Sequence, residues 1–222
     1  VIDELNGICE SILPTWNPET EAWEEAITND PAACFRSVLQ GAGNKSGLDN
    51  SRIDLNSLQD WSEYCINQDF ACNLVIERRD SVRKHLQDIG STGRASVTNN
   101  DGKWGVVIDR PRTKIAQHVT PRNSWGYQGS KEFNEVPHAF KVRFTNEEKG
   151  YRQDTRIVYR DGYDYNNATQ FEELQLTGIT SPDLAWRHGR YHLAVALLRP
   201  ETHSFKMDPE YLVANRGSLI KF

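Results

Sequence analysis

The chain has 222 residues, 37% of them apolar, with 31 acidic against 26 basic side chains and a formal net charge of −5. That length suits one large or two modest domains, and the acidic balance argues against a general affinity for nucleic acid backbone, which needs a basic footprint. Six tryptophans and eight tyrosines against one methionine favour strands and packed corners over a plain helical bundle, and no apolar run approaches the roughly 18 residues of a membrane span.

Residues 1–29 contain Pro14, Pro18 and the acidic stretch Glu19 to Glu25 with Trp16 and Trp23, but no sustained period, and read as an arm or loop with one helical turn at most. Asp30-Pro31 is a cap followed by a proline at the first helical position; Cys34, Phe35, Val38 and Leu39 supply an apolar stripe that ends at Gly41. A turn-rich loop to Ser51 follows. From Asp54 a second helix carries Leu55, Leu58, Trp61, Cys65 and Ile66 and stops near Gln68. Ala71 to Glu77 alternates as a strand. Asp80-Ser81 opens a third helix with Val82, Leu86 and Ile89 inward, and Ala95 to Ile108 reads as a hairpin turning at Asn99-Asn100-Asp101-Gly102. Residues 30–112 therefore read as an α+β subdomain.

Prolines, glycines and polar residues dominate 113–136, which reads as a linker or long loop. The remainder, 137–222, reads as mostly β with one long helix at 181–199. Phe140, Val142 and Phe144 alternate as a half-buried strand; further strands are expected at Arg156 to Arg160, Phe171 to Thr177 and Thr202 to Met207, with a short pair broken at Arg216-Gly217-Ser218. The stretch Thr169 to Pro200 organises this half. Phe171, Leu174, Leu176 and Ile179 are its apolar strand members; Ser181, Pro182 and Asp183 form a helix start, and Leu184, Ala185, His188, Tyr191, His192, Val195 and Leu198 share one helical face before Pro200 stops it. Cys9, Cys34, Cys65 and Cys72 include no Cys-x-x-Cys pair, so buried free thiols are expected in preference to a disulfide framework. Beginning at Val1 without a methionine, the chain reads as a piece of a longer polypeptide.

Each chemical constellation has a plainer alternative. His188 and His192 have the spacing of two zinc ligands on a helix, but Gly189 stands where the hydrolytic signature needs a glutamate, and packing at a helix–sheet interface is favoured. Glu172-Glu173, Asp161 and Asp164 could supply the carboxylates of a glycosidase, yet neighbours on a strand point to opposite faces, so solvated charges are favoured. Arg78, Arg79, Arg83 and Lys84 read as a solvated helix face. The aromatic loop Trp125 to Phe133, with Trp125, Tyr127 and Phe133, could stack on a sugar or form a subunit interface, and the interface is favoured. No nucleophile elbow, phosphate loop or dinucleotide fingerprint is present, so no catalytic residue, cofactor or metal is expected.

A resemblance supplies what these patterns do not. The succession NDPAACFRSVLQ, a Gly-rich loop and SRIDLNSLQDWSEYCINQDFACNLVIE, then DSVRKHLQDIGSTGRASVTNNDGKWGVVIDRP, VPHAFKVRFTNEEKGYRQDTRIVY and finally ATQFEELQLTGITSPDLAWRHGRYHLAVALLRP through RGSLIKF resembles the central hub region of siphophage tail-tip, host-specificity proteins of the lambda type. The match runs in order from about Asp30 to Phe222; the first thirty residues match least well. It implies a structural, non-catalytic part of a homotrimeric hub at the tail tip, in which an α+β domain joins a mostly antiparallel, barrel-like β domain at 137–222, contacting other tail-tip and tail-tube proteins and passing DNA without specific binding. The resemblance also implies a location in the virion tail tip after assembly in the bacterial cytoplasm, with receptor recognition lying beyond Phe222.

Overall fold

Asp30 shows how directly the local signals act. Its carboxylate accepts from the Ala32 amide at 3.2 Å, Pro31 occupies the first helical position, and Gly41 closes the helix α1 (Pro31–Gln40). In the computed structural model, which describes residues 7–77, 79–131, 136–209 and 213–222, the chain is an α+β protein of two units, Val1–Ile108 and Asp109–Phe222.

The first unit begins with an antiparallel pair, β1 (Ile12–Asn17) and β2 (Ala22–Ile27), in which Trp16 faces Trp23 with ring centroids 5.8 Å apart. After α1 come α2 (Leu55–Asn67), α3 (Val82–Thr92) and a hairpin of β3 (Ala95–Asn100) and β4 (Lys103–Ile108). Asp54 caps α2 through the Ser57 amide and Ser81 caps α3 through the Lys84 amide. The hairpin turns through Asp101 and Gly102 at φ values of 50° and 77°, the left-handed conformation that such two-residue turns demand. Phe35 meets Trp61 edge-on at 5.8 Å in the core, with Leu39, Leu58, Leu86 and Ile89 around them. Trp61 also donates from Nε1 to the Gly93 carbonyl at 2.9 Å, and a Cβ at Gly93 would fall 2.6 Å from that same nitrogen. Glycine ends α3 there because the indole fills the space.

The second unit is organised by β7 (Ala139–Asn146), which pairs antiparallel with β8 (Arg152–Tyr159) and parallel with β9 (Phe171–Gln175). Helix α4 (Pro182–Leu198) lies on β7 and β8. Val142, Phe144, Val158, Leu184, Ala185, His188 and Leu193 are buried in this unit. Gly189 is buried in α4, and a Cβ added there would sit 2.7 Å from Val158 Cγ2 and 3.0 Å from Val142 Cγ2. The mid-helix glycine, which costs about 1 kcal/mol relative to alanine, is thus a close-packing point between helix and sheet. Two further ladders complete the unit. β6 (Ser124–Lys131) pairs antiparallel with β10 (Glu201–Met207), and β5 (Ile115–His118) pairs parallel with β11 (Leu219–Lys221).

Several sequence expectations change. The 1–29 arm contains the β1–β2 pair, held by the tryptophan contact across strands despite Pro14, a residue that a two-stranded edge tolerates. Residues 71–77 alternate but form no strand; the Cys72 amide bonds the Asn29 carbonyl, while Val75 and Ile76 stay exposed. Alternation needs a partner ladder, and none of the described strands runs beside this segment. The 113–136 linker contains β5 and β6, and β11 pairs with β5 instead of with its own neighbouring residues. Among the described residues the sheets of the second unit stay separate and none closes into a barrel. On α4 the buried stripe runs through Leu184, Ala185, His188, Gly189 and Leu193; Leu198, at 74% exposure, lies outside it, and Ser181 occupies the cap position without a side-chain capping bond. Phe171 is also exposed, with Lys141 Nζ 5.2 Å from its ring centroid.

Candidate functional site

Of the residues singled out at Trp125 to Phe133, 125–131 belong to a strand, not a loop. β6 begins with Ser124, and Gly126 at φ 63° sits where the β6–β10 register shifts between Ser204 and Lys206. One extra residue on β6 at this point is a β-bulge, which locally increases twist and re-aims side chains. Trp125 and Tyr127 flank that glycine and are 52% and 58% exposed. Phe133 lies outside the described residues.

Tyr127 gathers partners from β10 and from the chain just after β11. Its hydroxyl hydrogen bonds His203 Nδ1 on β10 at 2.8 Å, and the two rings stack with centroids 5.9 Å apart and an interplanar angle of 18°. Phe222, just after β11, packs edge-on against His203 at 4.8 Å and lies 6.5 Å from Tyr127. Gly129, directly opposite His203 in the ladder, makes room for this contact: a Cβ there would come 3.1 Å from the tyrosine hydroxyl and 3.3 Å from Nδ1. At the other end of the ladder Lys131 pairs with Glu201 at 2.9 Å, and this hydrogen bond holds the Glu201 carboxyl below its usual range. A shallow open groove of about 590 Å³ runs past Lys131, Leu197, Leu198, Arg199, Pro200 and Glu201.

This arrangement offers flat apolar faces with a polar rim, a surface suited to stacking against a sugar ring or another protein's side chains. His203 and Phe222 were not visible as members from the sequence. They lie 76 and 95 positions from Tyr127, and only the alternation of His203, Phe205 and Met207 hinted that one face of this strand was special.

The other candidates are occupied elsewhere. His188 is buried in α4, whereas His192 is half-buried with its ring 5.2 Å from Tyr191. Glu173 pairs with Arg143 at 2.7 Å, and Asp161 pairs with Arg190 at 2.7 Å. Asp164 accepts from the Asn166 amide at 2.7 Å and so shapes its own turn. Lys84 pairs with Asp88 one turn along α3; Arg78 lies outside the described residues. Among the described residues no three His, Cys, Asp or Glu side chains converge as a metal cluster. No described helix is long and apolar enough to cross a membrane.

No protein-family model matches the chain, and no curated protein does. Among solved structures the chain is similar to the 43 kDa tail protein of prophage MuSo2 from Shewanella oneidensis, with a TM-score of 0.39 and 11% identity over 66% of this chain. The chain spans 42% of that protein's length. A TM-score of that size does not establish a shared fold.

Proposed function

We propose that this chain is a structural component of a bacteriophage or prophage tail, and more narrowly a fragment of the hub at the tail tip. The observation that carries the reading is the ordered succession of motifs from Asp30 to Phe222. Residues of those motifs also hold posts of structure: Asp30 caps α1, Gly102 turns the β3–β4 hairpin, and Gly189 seats α4 on its sheet. On this reading the protein is not an enzyme. It assembles as a homotrimer with other tail-tip and tail-tube proteins, lets DNA pass without binding it specifically, and supports host attachment through parts of the longer protein. Trp125 and Tyr127 are then subunit-interface residues, since exposed aromatic side chains are enriched at the centres of such interfaces.

Antibody raised against the chain tests this on particles produced by the strain that encodes it. Label confined to one end of the tail is the expected result; particles that carry no label, or label along the capsid, overturn it. The homotrimer is tested separately, by sedimentation of the full-length gene product, where a monomer at high concentration removes that part.

A second reading is favoured by one observation, the aromatic group of Tyr127, His203 and Phe222, with the exposed Trp125 two residues before Tyr127 on the same strand. It makes the β6–β10 surface a carbohydrate-binding or adhesion module. Saturable glycan binding that is lost in Trp125→Ala supports it, and a glycan array without signal removes it.

A further inference from the structure

Within the first unit two cysteines from different segments lie close together. One is Cys34, on α1, and the other is Cys72, on the irregular segment after α2; each shifts the proton affinity of the other. Cys34 Sγ also lies 4.0 Å from the Cys72 carbonyl oxygen. The backbone keeps them together. The Cys72 amide donates to the Asn29 carbonyl at 2.8 Å, and the Cys34 amide donates to the Asp30 carbonyl at 3.0 Å, so Cys72 is fastened to the chain that leads into the turn carrying Cys34. Both cysteines are free in this structure. Their surroundings differ: Cys72 is buried, while Cys34 is half-buried.

We infer that Cys34 and Cys72 are a dithiol–disulfide pair, oxidised by a small-molecule disulfide such as glutathione disulfide. Cys34, the less buried of the two, gives its proton to water and attacks as thiolate one sulfur of the oxidant. The oxidant's sulfur–sulfur bond breaks, and one glutathione leaves as thiolate with the bonding electron pair. Cys72 then attacks the Cys34 sulfur of the mixed disulfide and expels the second glutathione, which takes up the Cys72 proton. The two cysteine sulfurs are oxidised by two electrons in total, and one glutathione disulfide is reduced to two glutathione molecules. The new bond fastens the irregular segment that carries the exposed Val75 and Ile76 to α1 and closes a loop containing all of α2. Such closure restricts the unfolded chain, so the oxidised protein is expected to melt at a higher temperature than the reduced one. The inference stands apart from the proposed function, since it depends only on the first unit's own geometry.

The test equilibrates the folded chain with glutathione and glutathione disulfide over a range of ratios. Thiols that remain are alkylated in denaturant, and intact mass and peptide mapping are then read. Trypsin is the wrong protease, because it leaves Cys9 with Cys34 and Cys65 with Cys72 on shared peptides; cleavage after aromatic residues, including Trp16, Trp23 and Phe70, separates all four. The expected result is a protein with two fewer alkyl groups under oxidising ratios, a cross-linked peptide joining Cys34 to Cys72, and a raised melting temperature. Four alkylated cysteines at every ratio, or a bridge through Cys9 or Cys65, overturns the inference. Cys72→Ser should stop at a Cys34–glutathione mixed disulfide, and Cys65→Ser should keep the bridge. A Cys72→Ser chain, folded by circular dichroism, that carries no glutathione overturns the assigned order of attack. If that variant does not fold, the mapping of the unmodified chain alone decides.

Discussion

Two strands of the second unit have the same length and opposite fates. β7 buries Ala139, Phe140, Val142, Phe144 and Asn146, five of its eight residues, whereas β6 buries none of its eight. β7 lies between two partner strands and under a helix, and its order comes from side chains removed from water. β6 has one partner, β10, and its order comes from ladder hydrogen bonds, the bulge at Gly126 and the rings around Tyr127. Substitutions on the first strand should therefore cost stability, and substitutions on the second should cost little of it.

The largest expected effect is Phe144→Ala. Phe144 is 1% exposed, and truncating a buried phenylalanine costs about 3–5 kcal/mol. Urea unfolding measures it; a loss no greater than that of Tyr127→Ala would erase the contrast between β7 and β6. Gly189→Ala comes next. Alanine gains about 1 kcal/mol of helix propensity, but the new Cβ meets Val158 and Val142, whose branched side chains turn poorly, and overpacking costs about 1–3 kcal/mol. A net loss near 1 kcal/mol is expected. In the double variant Gly189→Ala with Val158→Ala the two changes should offset each other, and strict additivity would show that the close contact is not what selects glycine.

The same contrast decides how much of the fold was legible in the sequence. Where an element is closed by its own neighbours in the chain, the signal was complete: Asp30-Pro31 and Gly41 bound α1, and Asp101-Gly102 turns its hairpin. Phe140, Val142 and Phe144 alternated because one face of β7 is buried. β5 and β6 gave no pattern because both of their faces meet water, and partners about 70 or more residues away order them. Trp125 and Tyr127 stood out by residue type alone, but His203 and Phe222 join them only through pairing between distant strands. The reverse error, at Ala71 to Glu77, has the same cause: a periodic segment with no ladder beside it is not a strand.

Smaller effects sharpen the picture at the ends of α4 and on its sheet. Arg199 grips Asp109 with two hydrogen bonds of 2.7 and 2.9 Å, and Tyr191 donates to the same carboxylate. Because this pair is partly exposed, Asp109→Asn should cost only about 0.5–1 kcal/mol. Lower protection of the last turn of α4 in hydrogen exchange, without change at β7, is the expected signature; equal loss at both would make the clamp global. Acid should act on two carboxyls, one in each unit, with opposite signs. The Asn146 amide and then Lys149 hold the Asp154 carboxyl down to about 2, below its ordinary 3.8, so its stabilising part is full above pH 3.8 and is lost as pH falls through 2. Burial raises the Asp30 pKa, so the folded first unit holds that proton more tightly than the unfolded chain does, and acidification favours it. The stability difference between the unmodified chain and Asp154→Asn should shrink from pH 4 to 2. A difference that stays constant with pH removes Asp154 as its source.

The smallest stability change is expected at the residue that matters most to the second strand's role. Trp125 is exposed, follows directly on the first residue of β6 and faces Lys206 across the ladder, so Trp125→Ala removes little buried surface and should shift unfolding by no more than about 0.5 kcal/mol. Exposed aromatic side chains nonetheless concentrate binding energy when a partner covers them, commonly 2 kcal/mol or more at the centre of an interface. A variant that folds as well as the unmodified chain but fails to assemble in the full-length protein would therefore place β6 at a subunit contact. Failure to bind glycans with assembly intact would place it in recognition instead. If Trp125→Ala destabilises the chain as much as Phe144→Ala, β6 is a second core and the division of labour between the two strands does not hold.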